Sequence, residues 1–189
     1  MKRIIVLLFL LMFLIACQGQ TQRGSIAEQF RTGSDGLRIA FIQGTPPDMQ
    51  FDNNPFFVQV EIENLGAFNA GAAGDRVYLT GFDNRIITGI PSGGLTIPSL
   101  EGKNQFNPRG TRDVLSFTGQ VSRITGDVVP QPVQATACYK YQTKATGTVC
   151  IDPDPYSTGV RTKVCTPASI GLGTQAAPIA ISNIEVEPR

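Results

Sequence analysis

The segment Phe56–Asn64, FFVQVEIEN, decides the fold class of this chain. Every second side chain from Phe56 to Ile62 is apolar, and polar or acidic side chains fill most of the positions between them. Successive side chains of a strand point to opposite faces, so this alternation is typical of a strand with one buried face and one wet face. Antiparallel sheets commonly have such one-sided burial. The segment therefore predicts an antiparallel strand.

The same alternation returns on both sides of this segment, between stretches rich in glycine, proline and asparagine. Many short strands separated by such turns predict an all-β fold, an antiparallel immunoglobulin-like β-sandwich of about seven or eight strands that follows an N-terminal signal or lipoprotein segment. The chain has no tryptophan, so it lacks the Cys-Trp-Cys arrangement of true immunoglobulin domains. The other alternating segments are LRIAFI (37–42), DRVYLTGFD (75–83), DVLSFTGQVSR (113–123), PVQATACYKYQ (132–142), GTVCID (147–152) and RTKVCT (161–166).

The first residues have the pattern of an export signal. Lys2 and Arg3 precede an apolar run from Ile4 to Ile15, and Ala16 follows. A basic start and an apolar run of roughly 7–15 residues describe a secretory signal, whereas a membrane-spanning helix needs roughly 20 apolar residues. We therefore predict a signal peptide over residues 1–16.

The four residues LIAC at positions 14–17 resemble the lipobox of prokaryotic lipoproteins. That resemblance implies that Cys17 is lipidated, becomes the mature N-terminus and anchors the chain to the cell membrane on its extracytoplasmic side. The alternative is an ordinary secretion signal whose cysteine lies at the cut by chance. Residues 17–35 are polar and rich in Gly, Ser and Gln, which predicts a flexible tether between anchor and domain.

The remaining chain divides into a sandwich over residues 36–168 and a C-terminal segment over residues 169–189. The C-terminal segment is predicted to be a linker and a strand, which either returns to the sandwich edge or begins a following domain. Residues 84–112 carry too many prolines and glycines for a central strand. They predict one or two short edge strands and a long surface connection, which is a candidate binding surface.

Residues 46–70, PPDMQFDNNPFFVQVEIENLGAFNA, resemble the opening strands of CARDB-like and related immunoglobulin-like modules of prokaryotic surface proteins. Asn64 and Gly66 are expected to close the strand in a tight turn, so that the next strand crosses to the other sheet. The whole chain also resembles archaeal-type surface lipoproteins in the segments ITGI, LEGK and VCIDPDP. This second resemblance implies no particular activity.

Three cysteines remain if Cys17 is lipidated, and an odd number outside the cytoplasm implies one bridge and one further thiol. Their spacing does not fit a zinc site. A hairpin that turns at residues 144–146 would set Cys138 opposite Cys150, close enough for a cross-strand disulfide, and this pairing is our prediction. The alternative is a Cys150–Cys165 bridge, which would close a proline-rich loop. A Cys138–Cys165 bridge, or none, stays open.

Asp152 and Asp154, in CIDPDP, form a candidate calcium site. Calcium takes about 6–8 oxygen ligands, so Asp75 and Asp83 would have to lie nearby to complete the shell. The favoured interpretation is structural: Pro153 and its neighbouring prolines make a stiff exit from the strand and prevent edge pairing. No other cofactor is predicted.

The composition excludes several classes of function. The chain has no histidine, which excludes triad hydrolases and His-ligated zinc enzymes, so we do not expect an enzyme. Without Lys2 and Arg3 the 16 basic residues fall to 14 against 15 acidic ones, which leaves no basic patch for nucleic acid. Tyr139 and Tyr141 are interpreted as core residues rather than as a ligand platform.

These observations predict a lipid-anchored structural or adhesive module of the cell surface that presents loops for binding a protein or a glycan. The alternative is a solute-binding or assembly lipoprotein of the cell envelope. A hydrolase that uses paired carboxylates ranks third.

Overall fold

The computed structural model describes residues 30–126, 128–153 and 165–187. Within these ranges every regular element is a β-strand, and all strand pairs are antiparallel, so the predicted all-β antiparallel class is confirmed. In the same ranges no helix is long and apolar enough to cross a membrane. The strands are β1 (Leu37–Phe41), β2 (Pro55–Asn64), β3 (Arg76–Thr80), β4 (Ile87–Thr88), β5 (Leu95–Thr96), β6 (Arg112–Val121), β7 (Gln134–Cys138), β8 (Ile170–Gly171) and β9 (Asn183–Ile184).

The strands form two larger sheets and one separate pair. The first sheet has the order β1-β2-β6-β4, the second has the order β5-β3-β7, and β8 pairs with β9. Strands β2 and β6 have ten residues each and form the centre of the first sheet. The chain crosses from the first sheet to the second three times: between β2 and β3, between β4 and β5, and between β6 and β7.

Strand β2 has the burial pattern that its sequence predicts. Its even-numbered side chains, from Phe56 to Asn64, are at most 4% exposed, whereas Phe57 on the opposite face is 41% exposed. Val58 lies opposite Phe117 of β6, which is also fully buried. Full burial of such a side chain contributes about 1.5–3 kcal/mol, so this face is a main source of stability.

One cluster of buried side chains draws on both larger sheets. Strands β2, β4 and β6 contribute from the first sheet, and Val77 and Leu79 of β3 contribute from the second. Ala70, Ile97 and Leu100 add side chains from the connections. The two larger sheets therefore share a single core.

Asn64 and Gly66 end β2 in the way expected from the sequence. The Asn64 side chain is fully buried; its amide nitrogen donates to the carbonyls of Phe68 (2.9 Å) and Leu100 (3.1 Å), and its oxygen accepts from Gly66 N (3.1 Å). A buried amide is tolerated when its donors and acceptors are satisfied in this manner. Asn64 thus joins the end of β2 to the connection that contains Leu100.

The segment from 84 to 112 is only partly as predicted. It supplies two short edge strands, β4 and β5, which confirms that part of the expectation. Two residues after β5, Ile97 and Leu100, depart from the expected surface position, because each is 1% exposed, whereas most of residues 101–112 are exposed or half-buried, as expected of a surface connection. Leu100 exchanges two backbone hydrogen bonds of 2.9 Å with Ala70, and Ile97 N donates to Asp75 O. These bonds hold Ile97 and Leu100 in the core, although the prolines and glycines around them had predicted a surface position.

The C-terminal residues pair locally. Strand β9 pairs with β8 rather than with an edge of either larger sheet. The residues between the two strands nevertheless pack against the connection that follows β2, because Ala176 and Ala177 are buried and Ala67 N donates to Ala176 O (2.9 Å).

Candidate binding site

The predicted bridge between Cys138 and Cys150 is wrong. The structure joins Cys150 to Cys165, the alternative pairing, with the two Cα atoms 6.0 Å apart. Cys138 is free and exposed. An odd number of cysteines outside the cytoplasm had implied such a remaining thiol.

The Cys138–Cys150 bridge is absent because the predicted hairpin, with its turn at residues 144–146, does not form. Strand β7 ends at Cys138 and pairs with β3, where Cys138 lies opposite Arg76. Residues 139–153 contain no strand, which also corrects the strand predicted over 147–152. Without a partner strand around Cys150, nothing brings Cys138 opposite it. Part of the other predicted strand, residues 161–164, lies outside the described residues, and residues 165–166 are not in a strand.

The remaining predicted sites gain no further support. Cys17 and Asp154 lie outside the described residues. Across residues 30–126, 128–153 and 165–187, no group of three Cys, Asp or Glu side chains is arranged to hold a metal ion. Asp75 and Asp83, which could have completed a calcium shell with Asp152, both bind groups of the protein itself.

Asp75 is a buried carboxylate with three backbone partners. One of its oxygens accepts from Gly71 N and Ala72 N, and the other accepts from Lys140 N, each at 3.0 Å. Its side chain is 1% exposed. Hydrogen bonds to a charged acceptor are stronger than neutral ones, so Asp75 fixes the start of β3 to the segment that follows β7.

Tyr139 and Tyr141 serve the framework, as their interpretation as core residues predicts. The Tyr139 hydroxyl accepts from Leu37 N (3.0 Å), and the Tyr141 hydroxyl accepts from Ala67 N (3.0 Å) and donates to Ala176 O. Burial raises the pKa of Tyr141, so its phenol stays protonated and remains a donor. These tyrosines tie the segment after β7 to the first sheet and to the C-terminal residues.

The strongest candidate for a binding site lies elsewhere, at one end of the two large sheets. A cavity of about 390 Å³ lies between the β1–β2, β3–β4 and β6–β7 connections, and we name it the apolar cleft. Three of its lining side chains are large, apolar and mostly in contact with solvent: Met49 is 72% exposed, Phe51 is 69% exposed and Val128 is 80% exposed. Its floor contains Phe56 and Val121, which belong to the core.

The β1–β2 connection positions Met49 and Phe51 on one side of the apolar cleft. It begins with a turn in which Thr45 N donates to Ile42 O (2.9 Å). The Thr45 hydroxyl also accepts from Gln59 N of β2 (3.1 Å), which fixes the turn to the sheet. At the other end of the connection, Asn53 N donates to Val121 O (2.9 Å).

Side-chain and backbone bonds hold the other two connections together. Asp83 N donates to the Gln131 side-chain oxygen (2.8 Å), and Ser122 N donates to Ile86 O (2.7 Å). The Asp83 carboxylate in turn accepts from Arg85 N (2.8 Å) and from the Arg85 guanidinium. The side-chain hydrogen bond from Arg85 lowers the pKa of Asp83 to about 2, with the backbone hydrogen bond as the second cause. The walls of the apolar cleft are therefore braced by polar contacts.

This site is not among the predicted ones. The candidate binding surface was predicted at residues 84–112, and the candidate calcium site at Asp152 and Asp154. The signal in the sequence is the presence of Met49 and Phe51 within residues 46–54, whose other members are polar or proline. A second signal was the pair Val128–Val129 between Gly126 and Pro130.

Comparison with known proteins adds no relative. No family model matches the chain, and no curated protein or solved structure matches it either.

Proposed function

We propose that this chain is a non-catalytic, lipid-anchored module of the cell surface that binds another protein through the apolar cleft. The observation that carries the proposal is the exposure of Met49, Phe51 and Val128 around one cavity. Clustered apolar side chains on a surface are a usual mark of a protein–protein site, whereas single ones are normal. Phe and Met are also enriched at the centres of such sites.

Two properties of the chain support a binding role rather than catalysis. The chain lacks histidine, and the one buried carboxylate among the described residues, Asp75, is occupied by three backbone donors. A general base must be free to reach a substrate proton. Asp83 is likewise paired, in its case with Arg85.

The proposed location outside the cytoplasm has two supports. The sequence LIAC with Cys17 resembles a lipobox, and the Cys150–Cys165 bridge is of the kind that persists in oxidising compartments. The finer interpretation as an immunoglobulin-like sandwich is supported by the core that the two sheets share. In immunoglobulin-like sandwiches, connections clustered at one end commonly carry binding function, which is where the apolar cleft lies.

A solute-binding lipoprotein is the second candidate, because a cavity of about 390 Å³ is within the size range of small-molecule sites. Such sites usually offer a few converging polar groups. Here the Gln50 amide donates to Pro55 O (3.0 Å), while the Gln131 amide binds Asp83 N and Pro130 O. The two amide side chains that line the apolar cleft thus bind neighbouring backbone, and Asp48 is the one other polar side chain among its lining residues, which favours a largely apolar protein surface as the occupant over a polar solute or a glycan.

The experiment uses a photo-crosslinking residue placed at position 51 of the full chain on intact cells. Phe106 is the matched control, because it is an exposed phenylalanine (89%) that does not line the apolar cleft. We expect one dominant crosslinked protein from position 51 and none from position 106. Added wild-type chain should compete for this product, and added chain with Phe51→Ser should not. Equal crosslinking at both positions, or equal competition by both chains, would refute the proposal.

A further inference from the structure

A second cavity, of about 760 Å³, lies between the β8–β9 region and the segment that follows β7, and we name it the polar cleft. Its walls come from three separate parts of the chain: residues 31–32, 144–148 and 170–175. Two of its lining side chains are cationic, Arg31 and Lys144, and no acidic residue lines it among the described residues. The polar cleft is therefore positively charged, although the chain as a whole is nearly neutral.

The charge of Arg31 is not neutralised by the described part of the protein. The two ion pairs found there join Arg38 to Glu63 and Arg85 to Asp83, and neither involves Arg31. The Nε of Arg31 is shielded from solvent and has no hydrogen-bond acceptor, while its guanidinium carbon lies 5.8 Å from the centre of the Phe30 ring. A shielded donor without an acceptor is rare in folded proteins, and an anionic ligand would supply one.

The other walls offer donors suited to an oxyanion. Four threonines are among its lining residues, and a threonine hydroxyl can donate to an oxyanion: Thr32, Thr146, Thr148 and Thr174. At Gly171 and Gly173 an added Cβ would meet nothing within 4 Å, so the backbone there borders open space that a ligand can approach closely. Arginine with hydroxyl and backbone donors is a usual combination for binding phosphate, because the guanidinium presents several N–H groups in a fixed plane.

We propose that the polar cleft binds an organic phosphate, with the phosphate group held between Arg31 and Lys144. A cavity of about 760 Å³ exceeds the size of one phosphate group and is in the range that accommodates a larger molecule bearing it. The same chemistry has two sources: the headgroup of an anionic phospholipid, or a soluble phosphate ester. The lipid source is relevant because Arg31 lies within residues 17–35, the predicted tether that follows Cys17. Binding of a phosphate group in the polar cleft does not depend on the function proposed for the apolar cleft or on the proposed lipid anchor.

The test measures binding of three probes to the purified full chain by NMR chemical-shift titration. The probes are glycerol 1-phosphate, dihexanoyl phosphatidylglycerol below its micellar concentration, and dihexanoyl phosphatidylcholine as the lipid without net charge. Binding of glycerol 1-phosphate supports a soluble ester, and binding of phosphatidylglycerol alone supports a lipid headgroup. Binding of neither, or equal binding of phosphatidylcholine and phosphatidylglycerol, would overturn the proposal.

Variants assign the binding to the polar cleft. Arg31→Gln should weaken binding by about tenfold or more, because it removes a charge-assisted hydrogen bond. Lys144→Gln should weaken it by roughly threefold, because this exposed cation acts mainly through its charge.

Arg123→Gln is the matched control: Arg123 is exposed and does not line the polar cleft, so its loss should leave binding unchanged. Unchanged affinity in Lys144→Gln and Arg31→Gln, or an equal loss in all three variants, contradicts the assignment. Because Lys144 is exposed, its variant should fold even if Arg31→Gln does not.

Discussion

Replacement of Asp75 by asparagine tests whether one buried carboxylate holds the start of β3 to the segment that follows β7. In the native chain its two oxygens accept from Gly71 N, Ala72 N and Lys140 N. In Asp75→Asn one oxygen becomes an NH₂ group. The best orientation keeps the two bonds to Gly71 and Ala72 and sets the NH₂ group against Lys140 N–H. One hydrogen bond to a charged group is worth about 1.5–3 kcal/mol, so we expect the free energy of unfolding to fall by about 2 kcal/mol or more.

The assay is urea unfolding of Asp75→Asn and of the matched variant Asp35→Asn, whose side chain is exposed. Tyrosine fluorescence is a suitable signal because the chain has no tryptophan. With a denaturant slope of about 2 kcal/mol per molar urea, the midpoint should fall by about 1 M for Asp75→Asn and should not move for Asp35→Asn. Hydrogen exchange of the Lys140 amide should also become faster. A midpoint change below about 0.2 M would show that the bonds of Asp75 do not stabilise the fold by the expected amount.

Three further predictions concern a glycine, an ion pair and the cysteines. Gly110→Ala should destabilise the fold by about 2 kcal/mol or more in thermal unfolding, because Gly110 has a φ of +76° and an added Cβ would lie 1.9 Å from Asn64 O. The control is Gly93→Ala, which should be nearly neutral because nothing lies within 4 Å of an added Cβ there. Because Arg85 lowers the pKa of Asp83 to about 2, the pair stabilises the fold above about pH 4, and this contribution disappears as the pH falls towards 2. The melting temperature of Asp83→Asn should therefore fall less than that of wild type over this window, and parallel curves would contradict it. Maleimide should label Cys138 in the native, non-reduced chain and should label Cys150 and Cys165 only after reduction, as peptide mass spectrometry would show; native labelling at Cys150 would contradict the bridge.

The features that sequence predicted well are those coded by neighbouring residues. The alternation in β2 depends on the two-residue repeat of a strand, and the turn depends on a bond from the backbone N of Gly66 to the side chain of Asn64, two residues earlier. These local signals also identified the class of the fold, because many such strands have one face to bury and therefore need a shared core.

The features that sequence predicted poorly depend on distant partners. Strand β7 pairs with β3, which lies about 60 residues earlier, and not with the residues that follow it; the predicted disulfide failed for that reason. Leu100 is held in the core by Ala70 and Asn64, although its own neighbourhood is rich in proline and glycine. The apolar cleft combines three connections that are far apart in the chain, so no single segment indicated it.

Oxidation of Met49 shows whether a partner protein covers the apolar cleft on cells. Met49 is the only methionine after residue 12 and is 72% exposed, so peroxide reports on the apolar cleft at a single site. Mass spectrometry would compare the oxidation rate of Met49 in the purified chain, in wild type on intact cells, and in Phe51→Ser on the same cells. We expect slower oxidation of Met49 in wild type on cells than in the purified chain, and recovery of the faster rate in Phe51→Ser. Equal rates in all three would contradict this expectation.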